Sequence, residues 1–236
     1  MSGVLTFNGR TSTEMGLKVS GFEVFNAPER IYDSFQVPGR NGDLQIDTGT
    51  YSNAVVAYDA SMINFTPDKA KAVRVWLLAS GGYMRLEDTY NPEEFRLAKY
   101  SGPVEWSDFS QMLRHSNVQL VFDSKPQRFL IQGDMWQDKP TSLTNPTAFN
   151  ALPYIEIKTQ ANAAELRIGN CTINIGNLNG IKFYLDAETC DAVGVNGENY
   201  NSHISIHNAL ILPPGTTSIE YPGINICKIK PRWWTL

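Results

Sequence analysis

The stretch Val37-Pro38-Gly39-Arg40-Asn41-Gly42-Asp43-Leu44 joins two strand-like segments, Arg30 to Gln36 before it and Leu44 to Asp47 after it. Pro38 fixes its own φ, carries no N–H and pushes Val37 into an extended conformation, so a strand ladder stops there. Asn41-Gly42 is a hairpin signal, because both residues tolerate positive φ. The pattern describes a stiff loop with one cation, Arg40, and one anion, Asp43, near its tip. It holds no catalytic cradle. Val37, Pro38, Gly39, Arg40, Asn41, Gly42 and Asp43 together read as a contact loop.

Outward from this loop, the first 60 or so residues read as short strands punctuated by glycine. Val4, Thr6 and Phe7 form one stretch, Leu17 and Val19 a second, and Phe22, Val24 and Phe25 a third. Ala54 to Tyr58 and Ser61 to Phe65 continue the pattern. The period then changes. Thr66-Pro67-Asp68 supplies an N-cap hydroxyl, a proline at the first helical position and an acid in the first turn. Ala70, Val73, Trp76 and Leu77 fall on one apolar stripe. The pattern predicts a single helix from Asp68 to Ser80, closed at Gly81-Gly82 by a left-handed glycine and covering one face of a sheet. Strand-like stretches follow at Tyr83–Glu87, Glu94–Tyr100, Val104–Trp106 and Asn117–Phe122.

Residues 133–150 are rich in turn formers, with Pro140 and Pro146 among them, and read as a linker. Beyond it lie eight short apolar stretches from Tyr154 to Ile229, nearly all separated by Gly, Asn or Pro turns. That spacing argues for a β-sandwich. In Ile224-Asn225-Ile226-Cys227-Lys228-Ile229 the apolar residues change face partway, which predicts a bulge or burial against two surfaces. The fold class expected is therefore mainly β. A β-rich domain with one α-helix spans 1–132, a linker 133–150, and a sandwich 151–227. Residues 228–236 belong either to the sandwich or, returning, to the first domain.

The end of the chain, Pro231-Arg232-Trp233-Trp234-Thr235-Leu236, carries two adjacent tryptophans. Each can bury about 150–250 Å², so a frayed tail is unfavourable by several kcal/mol at about 25 cal/mol per Å². Neighbouring strand side chains face opposite ways. Arg232, Trp233 and Trp234 are thus expected to dock, one ring in a core and the other against a partner or neighbouring domain.

The 236-residue chain is 42% hydrophobic and 19% charged, the composition of a folded globular protein. No apolar run approaches the roughly 18 residues needed to span a membrane, and the first ten residues show no signal-peptide pattern. The net charge of -4, from 20 basic and 24 acidic residues, argues against binding driven by phosphate neutralisation. Cys171, Cys190 and Cys227 are odd in number and lack metal spacing, so they read as free thiols. His203 and His207 have no third ligand nearby, and a zinc site needs three or four. The acidic pairs Glu87/Asp88, Glu93/Glu94 and Asp186/Glu188 are sequence neighbours, which does not place two carboxylates across a cleft. No nucleophile elbow, phosphate loop or zinc-protease motif occurs. No catalytic residue, metal or cofactor is expected.

Several stretches together resemble the distal tail proteins of long-tailed bacteriophages. They are Ala27-Pro28-Glu29-Arg30, then VPGRNGDL at 37–44, then Ile46-Asp47-Thr48-Gly49-Thr50-Tyr51-Ser52-Asn53. The likeness continues through the helix, through Phe122-Asp123-Ser124-Lys125-Pro126-Gln127-Arg128-Phe129, and to the terminal PRWWTL. The resemblance implies a hexameric ring built by the N-terminal domain and stacked on the tail tube, with the Val37–Asp43 loop at the ring or stacking interface. It implies a galectin-like C-terminal sandwich projecting outward to carry or brace adhesion parts. The implied partners are copies of the chain itself, the tail tube protein, a tail-tip protein and receptor-binding proteins. DNA would pass the channel without specific binding, and no membrane would be entered. The implied location is the virion tail tip, after assembly in the bacterial cytoplasm. Two other classes compete: a carbohydrate-binding module and a cell-wall hydrolase. True galectins carry His-x-Asn-Pro-Arg and Trp-Gly-x-Glu, and neither occurs in this sequence.

Overall fold

A computed structural model describes residues 3–21, 24–110 and 115–236. The chain divides into two units, residues 1–128 with Leu236 and residues 129–235. In the first unit the strands are β1 (Leu5–Phe7), β2 (Arg10–Thr11), β3 (Leu17–Gly21), β4 (Arg30–Phe35), β5 (Leu44–Tyr51) and β6 (Ala54–Ile63). After the helix α1 (Pro67–Leu78) come β7 (Met84–Asp88), β8 (Glu94–Tyr100), β9 (Ser107–Ser110) and β10 (His115–Leu130), whose last two residues enter the second unit.

The main sheet of the first unit runs β2-β1-β7-β8-β10-β6-β3, with β9 also on β10. Its spine is the antiparallel β6–β10 ladder, in register from Ala54↔Ser124 to Ile63↔His115. Alternate residues of both strands turn inward: Val56, Tyr58, Ala60 and Met62 from one, Val118, Leu120 and Phe122 from the other. This period of two follows from the pleat. A bridge from Gly3, two residues before β1, to Val19 in β3 lets the sheet curl back on itself.

Helix α1 starts where expected, with Thr66 Oγ1 accepting from the Lys69 amide at 3.3 Å. It buries Val73, Trp76 and Leu77. The Trp76 indole donates to the Phe7 carbonyl at 3.0 Å, and the Phe7 ring packs edge-on against Trp76 and tilted against Phe122 in this core. The helix end differs from expectation. It closes at Ala79, whose right-handed backbone donates to Val75 O at 2.9 Å, and neither Gly81 nor Gly82 is left-handed. Val24 is fully buried in a turn, not a strand, and Phe22 lies outside the described residues.

The second unit holds β11 (Gln137–Asp138), β12 (Ser142–Asn145), β13 (Tyr154–Thr159), β14 (Ala163–Ile168), β15 (Cys171–Gly176) and β16 (Lys182–Asp186). It continues with β17 (Asp191–Gly194), β18 (Ile204–His207), β19 (Gly215–Glu220), β20 (Ile224–Lys230) and β21 (Trp234–Thr235). Two five-stranded antiparallel sheets, β11-β20-β13-β16-β17 and β12-β19-β14-β15-β18, form a sandwich. Ile155, Ile157, Phe183, Leu185, Cys227 and Ile229 from one sheet meet Leu166, Ile168, Ile173, Ile175 and Ile219 from the other. Residues 133–150, expected as a linker, contain part of a 3-10 turn at Ile131–Asp134 and then β11 and β12, with Pro146 directly after β12. Of the eight apolar stretches read from the sequence as sandwich strands, Ala209–Leu212 makes only the bridge Leu212–Ala151. The face change in β20 is a bulge: Lys158 pairs with Ile226 and Thr159 with Ile224, which leaves Asn225 unpaired.

Candidate functional site

Strands β4 and β5 form a two-stranded sheet of their own, and every residue from Glu29 to Thr50 is exposed. The register pairs Tyr32 with Asp47, Asp33 with Ile46, Ser34 with Gln45 and Phe35 with Leu44. Cross-strand partners share a face. One face therefore carries Phe35, Leu44 and Ile46 beside Asp33, and the other carries Tyr32, Ser34, Gln45 and Asp47. The apolar trio is 52%, 39% and 51% exposed, so about half of each side chain has no cover. An isolated two-stranded hairpin is marginal in water, and both of its outer edges offer free backbone groups for pairing.

The tip is built by two glycines with positive φ. In the first turn Arg40 N bonds Val37 O at 3.1 Å, with Pro38 leading and Gly39 at φ 82°, the geometry of a type II turn. Gly42 at φ 79° completes the reversal, while Asn41 keeps negative φ. The stiffness expected of this loop thus comes from Pro38-Gly39 as much as from Asn41-Gly42. Among the described residues Arg40 and Asp43 form no ion pair.

Lower on the hairpin the register shifts between Arg30 and Tyr32, because Thr48, Gly49 and Thr50 bulge opposite Ile31. Thr48 Oγ1 donates to Ile31 O at 2.8 Å and the Gly49 amide to Asp47 Oδ1 at 2.9 Å. Arg30 clasps the Asp47 carboxylate with Nε at 3.0 Å and with Nη2, and its guanidinium lies 5.5 Å from the Tyr51 ring centroid. The Arg30 hydrogen bonds, then the Gly49 amide, hold the Asp47 carboxyl below the usual carboxylate range. The sequence places a strand at Leu44–Asp47 and misses the bulge beyond it; the Thr-Gly-Thr run was the signal. At the base, the Ser52 amide bonds Glu29 O at 2.8 Å. The Asn53 side-chain amide donates to Tyr83 Oη at 2.7 Å and Asp123 Oδ1 at 2.9 Å.

The other residues singled out by sequence have structural partners. Arg232 binds Asp186 through two nitrogens, at 2.8 and 3.0 Å, within the second unit. Trp233 is 5% exposed in the sandwich core. Trp234 stacks on Phe149 at 4.4 Å and donates to Asn150 O at 2.9 Å. Asp88 accepts from Tyr58 Oη at 2.7 Å, and Glu94 pairs with Arg128 at 3.5 Å. Both carboxylates are engaged in structural contacts. His203 faces Gly176 O and His207 faces Ser205 Oγ. Among the described residues no group of His, Cys, Asp or Glu has the arrangement of a metal site. Nor is any helix long and apolar enough to cross a membrane.

No protein-family model matches the chain, and no curated protein matches it either. A solved structure does: the Dit (gp 19.1) protein of SPP1, described as a paradigm of the hub adsorption apparatus in phages infecting Gram-positive bacteria. The two share 13% sequence identity, with a TM-score of 0.70 over 97% of each chain. The chain has the fold of that distal tail protein.

Proposed function

We propose that this chain is a structural, non-catalytic hub of a phage tail, and that it works by closing into a hexameric ring. The observation that carries this reading is the unpartnered β4–β5 hairpin with Phe35, Leu44 and Ile46 on one open face. Fully burying side chains of this kind stabilises by about 1.5–3 kcal/mol each. Covering the remaining half of three of them therefore favours association by a few kcal/mol. A heterologous contact, the hairpin of one copy against the body of the next, closes into a ring when the rotation per copy allows it, and it removes exposed strand edges at the same time. The match to a hub protein over the full length of the fold supports the same reading.

In this arrangement the Val37–Asp43 tip reaches the neighbouring copy or a stacked ring. Pro38 limits the entropy lost on docking. The ring sits between the tail tube and the tail-tip proteins, in the virion, after assembly in the host cytoplasm. The sandwich carries or braces receptor-binding parts, and DNA passes through the open centre without specific contacts.

The test is the double variant Phe35→Asp with Ile46→Asp. Both side chains are exposed, so the melting temperature is expected to hold, as for most surface changes within about 0.5 kcal/mol. Light scattering and negative-stain images should show rings for the natural chain and lone particles for the variant. Rings of undiminished yield from the variant, or a natural chain that stays single at every concentration, would overturn the reading.

A further inference from the structure

The segment that leads into the hairpin is held from beneath by two buried arginines. Arg96 on β8 and Arg128 on β10 are 6% and 7% exposed. Arg96 Nη2 donates to Val24 O at 3.2 Å and to Asn26 Oδ1 at 3.2 Å. Arg128 Nη2 donates to the same Val24 O at 3.0 Å and to Asn26 O at 2.7 Å. The Asn26 side-chain amide in turn donates to Val55 O, on the strand that follows the hairpin. Both legs of the hairpin are thereby tied to one point of the first unit.

This arrangement is poor as a device for stability alone. Two guanidinium groups converge on one carbonyl; among the described residues Glu94 pairs with Arg128 at 3.5 Å, and the charges of Asp88 and Glu94 act on Arg96. Among the described residues, Arg96 Nη1 and Arg128 Nε are buried without an acceptor. Burial first, then the neighbouring Arg128 charge, push the Arg96 guanidinium down to about 10. Apolar residues of similar volume generally stabilise a core as well as or better than buried charges do. What the arginines supply and apolar residues cannot is a fixed direction for three oxygens of a segment that belongs to no strand. That segment ends four residues before β4, with Pro28 limiting the rotation between them.

We propose that Arg96 and Arg128 form a buried latch that fixes the direction in which the hairpin leaves the first unit, and so presents it to the neighbouring copy. The second clause rests on the ring reading above; the first does not. Direction matters because of leverage. At about 3.3 Å per residue, an eight-residue strand extends about 26 Å, so a root rotation of about 10° moves the tip by about 4.5 Å. That is close to the spacing of neighbouring strands, enough to take a docking strand out of register.

The test measures direction without assembly. Spin labels go on Ser34→Cys in β4 and Arg74→Cys on the exposed side of α1, in a Cys190→Ser background, diluted with unlabelled protein so that only intramolecular distances report. The unaltered latch should give one narrow distance distribution. Arg96→Met and Arg128→Met should broaden it at least twofold, with circular dichroism of the body unchanged, and should weaken ring formation at least tenfold. If either arginine variant fails to fold, Asn26→Ala removes the latch from the segment side and should broaden the distribution in the same way. An unchanged distribution in folded latch variants would overturn the latch, whether or not rings form. Rings that survive Phe35→Asp with Ile46→Asp would overturn the ring reading and leave the distance result to decide the latch by itself.

Discussion

Cys227 and Cys190 show how differently two thiols of one sandwich are placed. Cys227 lies on β20 between the sheets with no exposed surface, and burial pushes its thiol up to about 12. Cys171 is also buried and raised by the same cause. Cys190 is exposed, in a turn at φ 58°. Because thiolate is the reactive form, one equivalent per chain should react rapidly with a thiol reagent at pH 8, and three after unfolding in guanidinium. Two or three rapid equivalents in the native protein would contradict this burial. The folded state holds the Cys227 proton more tightly than the unfolded chain does. Its contribution to stability is therefore complete below the ordinary thiol value near 9.0 and falls as pH rises toward about 12. The sequence identifies these residues as free thiols from their number and spacing. Which of them is open to solvent depends on strand phase, and the bulge at Asn225 shifts that phase for Cys227.

At the level of elements, the terminal segment is a packed part of the second unit. The Leu130 amide bonds Trp233 O at 2.8 Å, and the Arg232 amide bonds Gly133 O at 2.8 Å. A β-carbon at Gly133 would lie 2.5 Å from the Trp233 nitrogen, so the close approach needs glycine. Deleting residues 232–236 removes a buried Trp and the Arg232–Asp186 pair. The expected loss is at least about 3–5 kcal/mol, a fall of about 10 °C or more in the melting temperature of a unit this size. A calorimetric scan checks it, and an unchanged transition would refute the docked tail. Leaving two adjacent tryptophans in water is costly, and that cost is what makes docking the expectation from sequence. The start of α1 is equally legible from Thr66-Pro67-Asp68, since a cap is a local arrangement. Its end is not legible in the same way, because Gly81-Gly82 permits a left-handed stop without requiring one.

At the scale of the molecule, each unit has its own core. The first gathers residues from Leu5 to Phe122, and the second from Leu143 to Trp233 with Leu130 and Trp234 packed against it. A fragment spanning 129–236 is therefore expected to fold alone, with a cooperative melt and dispersed amide resonances. A molten fragment would show that the sandwich needs the first unit. The sequence changes in strand spacing and turn chemistry near residues 131–150, and the structure divides its units between residues 128 and 129. Short strands rich in Pro, Asn and Thr have the composition of a linker until partners pair with them.

By itself the sequence determined the β-rich class, the hairpin around Val37–Asp43, the cap of one helix and the burial of one terminal tryptophan, Trp233. Each of these rests on neighbours along the chain: φ preferences, a period of two or 3.6, and the area of a Trp ring. Only the tertiary structure decided that the hairpin stands without cover and that Phe35, Leu44 and Ile46 share its open face. It alone showed that Arg96 and Arg128 grip Val24 from 72 and 104 residues away. Such contacts join residues distant in the chain, and their partners are selected by how the sheet folds back on itself, which no local pattern encodes.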